Sequence, residues 1–121
     1  MSDAPIPTID VTEAERRMRD DPEGPVLLDV REIGEFAAVR APGAVLVPTS
    51  TFAARVAELP SDRPGMVICH MGSRSAAVAG FLLRSGRSDV VNVAGGMDAW
   101  ERAGLPVRRG PTEPGEGDLP G

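Results

Sequence analysis

The sequence predicts an α/β domain in which a parallel sheet is sandwiched between layers of helix. Three observations lead there. Short apolar runs alternate with helical patterns along the chain, the order that builds strand–helix–strand units. Two of the runs, VLLDV at 26–30 and MVIC at 66–69, are apolar almost throughout, as strands covered on both faces require. Pro- and Gly-containing breaks separate the elements and keep each one short,.

Taken in order, the first strand is expected over 6–11. Thr12 followed by Glu15 makes a capping-box pattern, so a helix is expected from 13 to about 19,. Asp21-Pro22-Glu23-Gly24-Pro25 breaks the chain before the second strand, 26–30. Residues 32–39 suit a short helix ended by Ala41-Pro42-Gly43, and 45–47 a brief strand. Residues 49–59 read as a clear helix, with Phe52, Val56 and Leu59 at helical spacing,. After the turn residues 60–65, the strand 66–69 delivers Cys69 at its C-terminal end. The helix expected over 73–84 is apolar nearly all round, hence central, and Gly86 is its natural stop,. A strand at 89–93 and a helix at 97–102 close the domain before Gly104. From Gly110 the chain reads GPTEPGEGDLPG. A stretch so rich in Pro, Gly and acid is expected to bury nothing and to be disordered. The organisation expected is therefore one domain over 1–109 and a tail over 110–121.

Composition narrows the function. A chain of 121 residues closes one core,. With 41% hydrophobic and 26% charged residues it reads as globular. The net charge is −5 and the basic residues are scattered, so no positive stripe for nucleic acid is visible. One cysteine excludes an intramolecular disulfide and any multi-cysteine metal site,; no metal or organic cofactor is implied. The opening MSDAPIPTID has neither a basic region nor an apolar run, so no secretory leader is expected. No segment approaches the length of a membrane span. The expected location is the cytoplasm, where a free thiol stays reduced.

The chemistry is concentrated in ICHMGSRSAA, residues 68–77, which holds the chain's only cysteine and only histidine. Ligands of open parallel sheets bind outside the carboxyl ends of the strands, and Cys69 is at such an end. The turn Cys69-His70-Met71-Gly72-Ser73-Arg74 can curl so that its N–H groups converge on an anion, reinforced by the start of the next helix. Gly72 supplies the freedom for positive φ that such a curl needs. Those dipoles favour thiolate, the form that attacks sulfur or phosphorus. The competing reading is packing, since a lone cysteine ending an apolar strand is usually a core residue. The Gly, Ser and Arg clustered within six residues favour the nucleophile. Arg74 follows Cys69 after four intervening residues, a tighter loop than one built to wrap a phosphate.

Three stretches, in this order, resemble the single-domain rhodanese family of sulfurtransferases across residues 7–107. LLDVREIGEFAAVRAPGAVLVP (27–48) is similar to its Leu-Asp-Val-Arg strand end with a later Pro-Gly-Ala. CHMGSRS (69–75) fits its Cys-x-x-Gly-x-Arg-Ser loop, and VNVAGGMDAW (91–100) resembles its closing Gly-Gly-x-x-x-Trp segment. The resemblance implies a rhodanese-like three-layer α/β/α sandwich with a central, mainly parallel five-stranded sheet. It implies that Cys69 takes sulfane sulfur as a persulfide from thiosulfate or another persulfide. The sulfur then passes to cyanide, a thiol or a protein cysteine, much as in thiol–disulfide exchange. Two departures stand out. Where the family often has Gly-His, this chain has Val39, Arg40 and Ala41, which implies a changed surface contact. Where thiosulfate-specialised members carry basic residues just after the cysteine, this chain has His70 and Met71.

The remaining candidates have two readings each. His70 either holds positive charge near the thiolate or is an ordinary exposed loop residue. Arg74 either clamps an anionic donor or braces the loop by pairing with Asp29 or Glu35, its N–H remaining in the cradle. Asp29 and Arg31, at the end of their strand, form a supporting ion-pair network or touch substrate. Ser73 and Ser75 either supply N–H groups and cap the helix or place a hydroxyl against the persulfide. Gly95-Gly96 is expected to make a tight turn and Trp100 to pack. A non-catalytic interaction module on the same fold, and reductase or phosphatase-like chemistry on an oxyanion, are the alternatives to sulfur transfer.

Overall fold

The computed structural model describes residues 5–120. The expected absence of a leader rests partly on residues 1–4, which lie outside that range, as does Gly121 of the tail. Five strands, β1 (Thr8–Ile9), β2 (Val26–Asp29), β3 (Val45–Leu46), β4 (Gly65–Ile68) and β5 (Val90–Val93), form one sheet. Their order is β1-β5-β4-β2-β3 and every pair is parallel. The helices are α1 (Val11–Asp20), α2 (Ile33–Ala38), α3 (Phe52–Arg55), α4 (Ser73–Arg84) and α5 (Gly96–Arg102).

Alternation along the strands divides the core between the two faces. Val26, Leu28, Val30, Val67 and Cys69 pack with Phe52, Val78, Ala79 and Leu82, under α3 and α4. Leu27, Met66, Ile68 and Val93 pack with Val11, Ala14, Phe36, Met97 and Trp100, under α1, α2 and α5. The result is the three-layer sandwich expected. Chain connections leave β4 toward β5 but leave β2 toward β3. The crevice at the carboxyl ends of β2 and β4 is thus a topological switch point, where ligands of such sheets bind.

Several boundaries differ from expectation. Helix α1 begins at Val11, because Asp10 is its cap: the carboxylate accepts the Glu13 N–H at 2.8 Å. Thr12 falls inside the first turn. The helix expected over 49–59 is one α-turn between two 3-10 turns, Thr49–Thr51 and Val56–Glu58. Hydroxyl residues compete with the helical ladder there: Thr49 Oγ1 donates to Val30 O at 2.7 Å and Thr51 Oγ1 to Pro48 O at 3.4 Å.

The C-terminal segment differs most. Residues 110–120 fold back over α2 and the outer edge of β3, with Leu46 N–H donating to Gly117 O at 2.8 Å. Leu119 packs against the core. The anchor is Arg40, which is 2% exposed rather than a surface residue. Its guanidinium donates to both oxygens of Glu116, at 2.6 and 2.9 Å, and to Gly110 O at 2.7 Å. A buried arginine requires acceptors on every side, and composition alone gives no sign that this segment provides them.

Candidate active site

Strand β4 ends at Ile68, and the next residue, Cys69, points into the layer beneath α4. It is 1% exposed. The loop turns at Gly72, whose φ of 108° is closed to ordinary side chains,. The turn brings the Gly72 N–H back to Cys69 Sγ at 3.1 Å. Helix α4 starts at the next residue. Its third residue, Ser75, is buried with its hydroxyl 3.3 Å from the sulfur. Burial pushes the thiol up. The Ser75 hydroxyl, with the backbone N–H groups of Ser75, Gly72 and Met71, outweighs it and holds Cys69 below an ordinary thiol,.

The Ser75 hydroxyl has a second partner, Gly72 O, to which it donates at 3.1 Å. That carbonyl also receives the Ala76 N–H at 3.2 Å and Asn92 Nδ2 at 3.5 Å. The hydroxyl is therefore free to turn to the sulfur when Cys69 ionises, leaving Gly72 O satisfied. Asn92, on β5, is the buried residue that sequence reading missed. Its Oδ1 has no partner among the described residues.

Arg74 does not aim at the sulfur. Its guanidinium makes a two-pronged pair with Glu35 of α2, at 2.8 and 2.9 Å. Glu35 is held down at about 2, chiefly by that contact, and Arg74 is raised by the same partner. Of the two partners foreseen, Asp29 is occupied elsewhere. Asp29 and Arg31 are both buried and joined at 2.8 Å, and Arg31 also donates to Glu35 O at 3.2 Å and Val39 O at 2.6 Å. This pair fixes α2 against the end of β2. His70, Met71 and Ser73 face outward and are exposed.

The Gly95-Gly96 turn does more than reverse the chain. The Met97 N–H donates to Cys69 O at 2.8 Å and the Asp98 N–H to His70 O at 3.0 Å. The backbones approach so closely that a Cβ on Gly96 would lie 2.3 Å from Cys69 O. The first turn of α5 thus clamps the cysteine's own peptide. Trp100 is buried, with Nε1 donating to Pro106 O at 2.8 Å.

Known proteins are similar to this chain in sequence and in fold. The family model described as Rhodanese-like domain matches residues 10–103. A sulfurtransferase from Allochromatium vinosum is 36% identical over 87 residues, 72% of this chain and 81% of that protein. The thiosulfate sulfurtransferase GlpE of Actinobacillus succinogenes is 38% identical over 85 residues, 70% of this chain and 77% of the relative. A rhodanese-related protein from Thermoplasma volcanium superposes with a TM-score of 0.74 at 29% identity, covering 84% of this chain and 97% of the other. With the matched region spanning most of its length and carrying the cysteine loop, the chain belongs to the rhodanese-like domain family, whose similar members bear sulfurtransferase names.

Proposed function

We propose that the protein is a sulfurtransferase in which Cys69 carries the sulfur. The carrying observation is a thiol at the foot of α4 that receives the Gly72 N–H at 3.1 Å and faces the Ser75 hydroxyl at 3.3 Å. Such a site stabilises thiolate. The same backbone donors would favour the anionic form of a persulfide on that sulfur.

Loading is attack of the Cys69 thiolate on sulfane sulfur. With thiosulfate, a bond forms from Sγ to the outer sulfur, the donor's S–S bond breaks, and sulfite leaves with the electron pair. With a persulfide, RS–SH, the bond broken is again S–S and the thiolate RS⁻ leaves. Discharge reverses the roles. Cyanide, a thiol or a protein cysteine attacks the outer sulfur, and Cys69 departs as thiolate. Neither half-reaction changes the total electron count or needs a cofactor. A free thiol in this role belongs in a reducing compartment, and the cytoplasm provides one.

The test is intact mass after brief incubation of the reduced protein with thiosulfate, or separately with a small persulfide, alongside Cys69→Ser. The expected result is a gain of one sulfur atom, removed by cyanide and absent in the variant. A folded protein that gains nothing from either donor would refute the transfer reading and leave a binding module on the same fold.

A further inference from the structure

The arginines near the cysteine loop are paired with carboxylates. Arg74, the loop's own cation, is bound by both oxygens of Glu35. Arg31, at the end of the neighbouring β2, is consumed by Asp29. From α3, Arg55 pairs with Glu58 at 3.7 Å, and on α5 Asp98 pairs with Arg102 at 3.1 Å. Glu32, at the cap of α2, has no cation paired with it among the described residues; its carboxylate accepts from the Glu35 backbone N–H in the capping box and from the Ser50 hydroxyl at 2.8 Å. The chain has no lysine to supply another cation. On the loop itself Met71 is 60% exposed, an apolar side chain open to solvent two residues from the cysteine.

We infer that Glu35 is a specificity-determining residue: by neutralising Arg74 it disfavours doubly charged donors such as thiosulfate and leaves the site suited to persulfides with an uncharged organic body. The inference rests on the transfer chemistry proposed above. A dianion entering a buried site loses hydration that only unbalanced positive charge restores. Here the arginines are committed to carboxylates, which leaves the backbone N–H groups and the exposed His70 imidazole to meet an incoming anion. A donor whose uncharged organic body lies on Met71 brings less charge to the loop.

Glu35 is positioned to set this balance without touching the reacting atoms. Its separate hydrogen bond, Oε1 accepting the Glu32 N–H at 3.1 Å, is one that glutamine can also make. Glu35→Gln therefore removes the compensating charge while keeping the shape of the α2 cap.

Two measurements on the full chain test this. The first compares loading of Cys69 by thiosulfate and by 2-hydroxyethyl persulfide, wild type against Glu35→Gln, followed by mass. At low salt the ratio of thiosulfate to persulfide rates is expected to rise about tenfold in the variant, and the rise to shrink as salt is added. The second uses no sulfur transfer: alkylation of Cys69 by anionic iodoacetate against neutral iodoacetamide. That ratio is expected to rise about threefold in Glu35→Gln. Met71→Lys, on an exposed side chain, adds a cation by another route and is expected to move both ratios the same way. Loading that proceeds with both ratios unmoved in both variants overturns the role of Glu35 and leaves the transfer reading standing. Failure of both donors to load the folded wild type overturns the transfer reading and the donor preference with it.

Discussion

Cys69 and Ser75 form a two-state hydrogen bond. In the thiol, the sulfur's proton faces Ser75 Oγ while the hydroxyl donates to Gly72 O. In the thiolate, the hydroxyl turns to the sulfur, and the Ala76 N–H with Asn92 Nδ2 keeps the carbonyl satisfied. Ser75→Ala is therefore expected to raise the thiol pKa, because a hydrogen bond that favours the thiolate is lost,. The pH profile of iodoacetamide alkylation measures it. Gly96 is a second single-residue constraint. Its φ is 57°, and a methyl group there would strike Cys69 O and His70 O. Gly96→Ala is expected to cost about 2–4 kcal/mol by chemical denaturation and to slow sulfur uptake, because the loop must move to relieve the contact.

Helix α2 is the element through which distant parts of the chain reach the cysteine loop. Its first turn holds Arg74 through Glu35, and the carbonyls of Glu35 and of Val39, just past its end, hold Arg31. Farther along, Phe36 O and Ala37 O accept from Arg40, which in turn holds Glu116. The C-terminal segment is thus a strap across α2 and the open edge of β3. Removal of residues 110–121 leaves Arg40 without its carboxylate and frees the Leu46 N–H at a sheet edge. The truncated chain is expected to melt lower and to self-associate, since an uncovered edge strand is a template for pairing. Thermal unfolding and light scattering read the two effects. Glu116→Gln is expected to lower the melting point without opening the edge, which separates the ion pair from the covering.

At the scale of the molecule, acid stability follows from carboxylates held near 2 by arginines. Glu13, Glu35 and Glu116 each lie well below the free value of 4.5, with an arginine hydrogen bond as the leading cause. A group depressed in the folded state stabilises above its unfolded pKa and loses that contribution as pH falls through the folded one. Stability is therefore expected to fall between about pH 4.5 and pH 2, and to fall less steeply in Glu35→Gln and Glu116→Gln,. Urea midpoints across that range are the measurement.

Much of this molecule is written in short windows of sequence. The apolar runs at 26–30 and 66–69 and the helix over 73–84 are recovered closely, because periodicity and helix-stop residues act within a few positions,. The same windows put Cys69, Gly72 and Ser75 in one loop, where the structure brings them together. The sequence by itself thus determined the sandwich and the location of its one thiol at a strand end. Only the tertiary structure decided which partners the charged groups take. Arg74 had two chemically equivalent carboxylates within reach of argument, and it selects Glu35, 39 positions away. Arg40 reaches Glu116 across 76 positions, which converts a tail of disorder-prone composition into a strap. Gly96 supports the Cys69 peptide from the opposite helix layer. Such choices depend on where the packed sheet delivers each backbone, a three-dimensional quantity to which no local pattern of charge or hydrophobicity is sensitive.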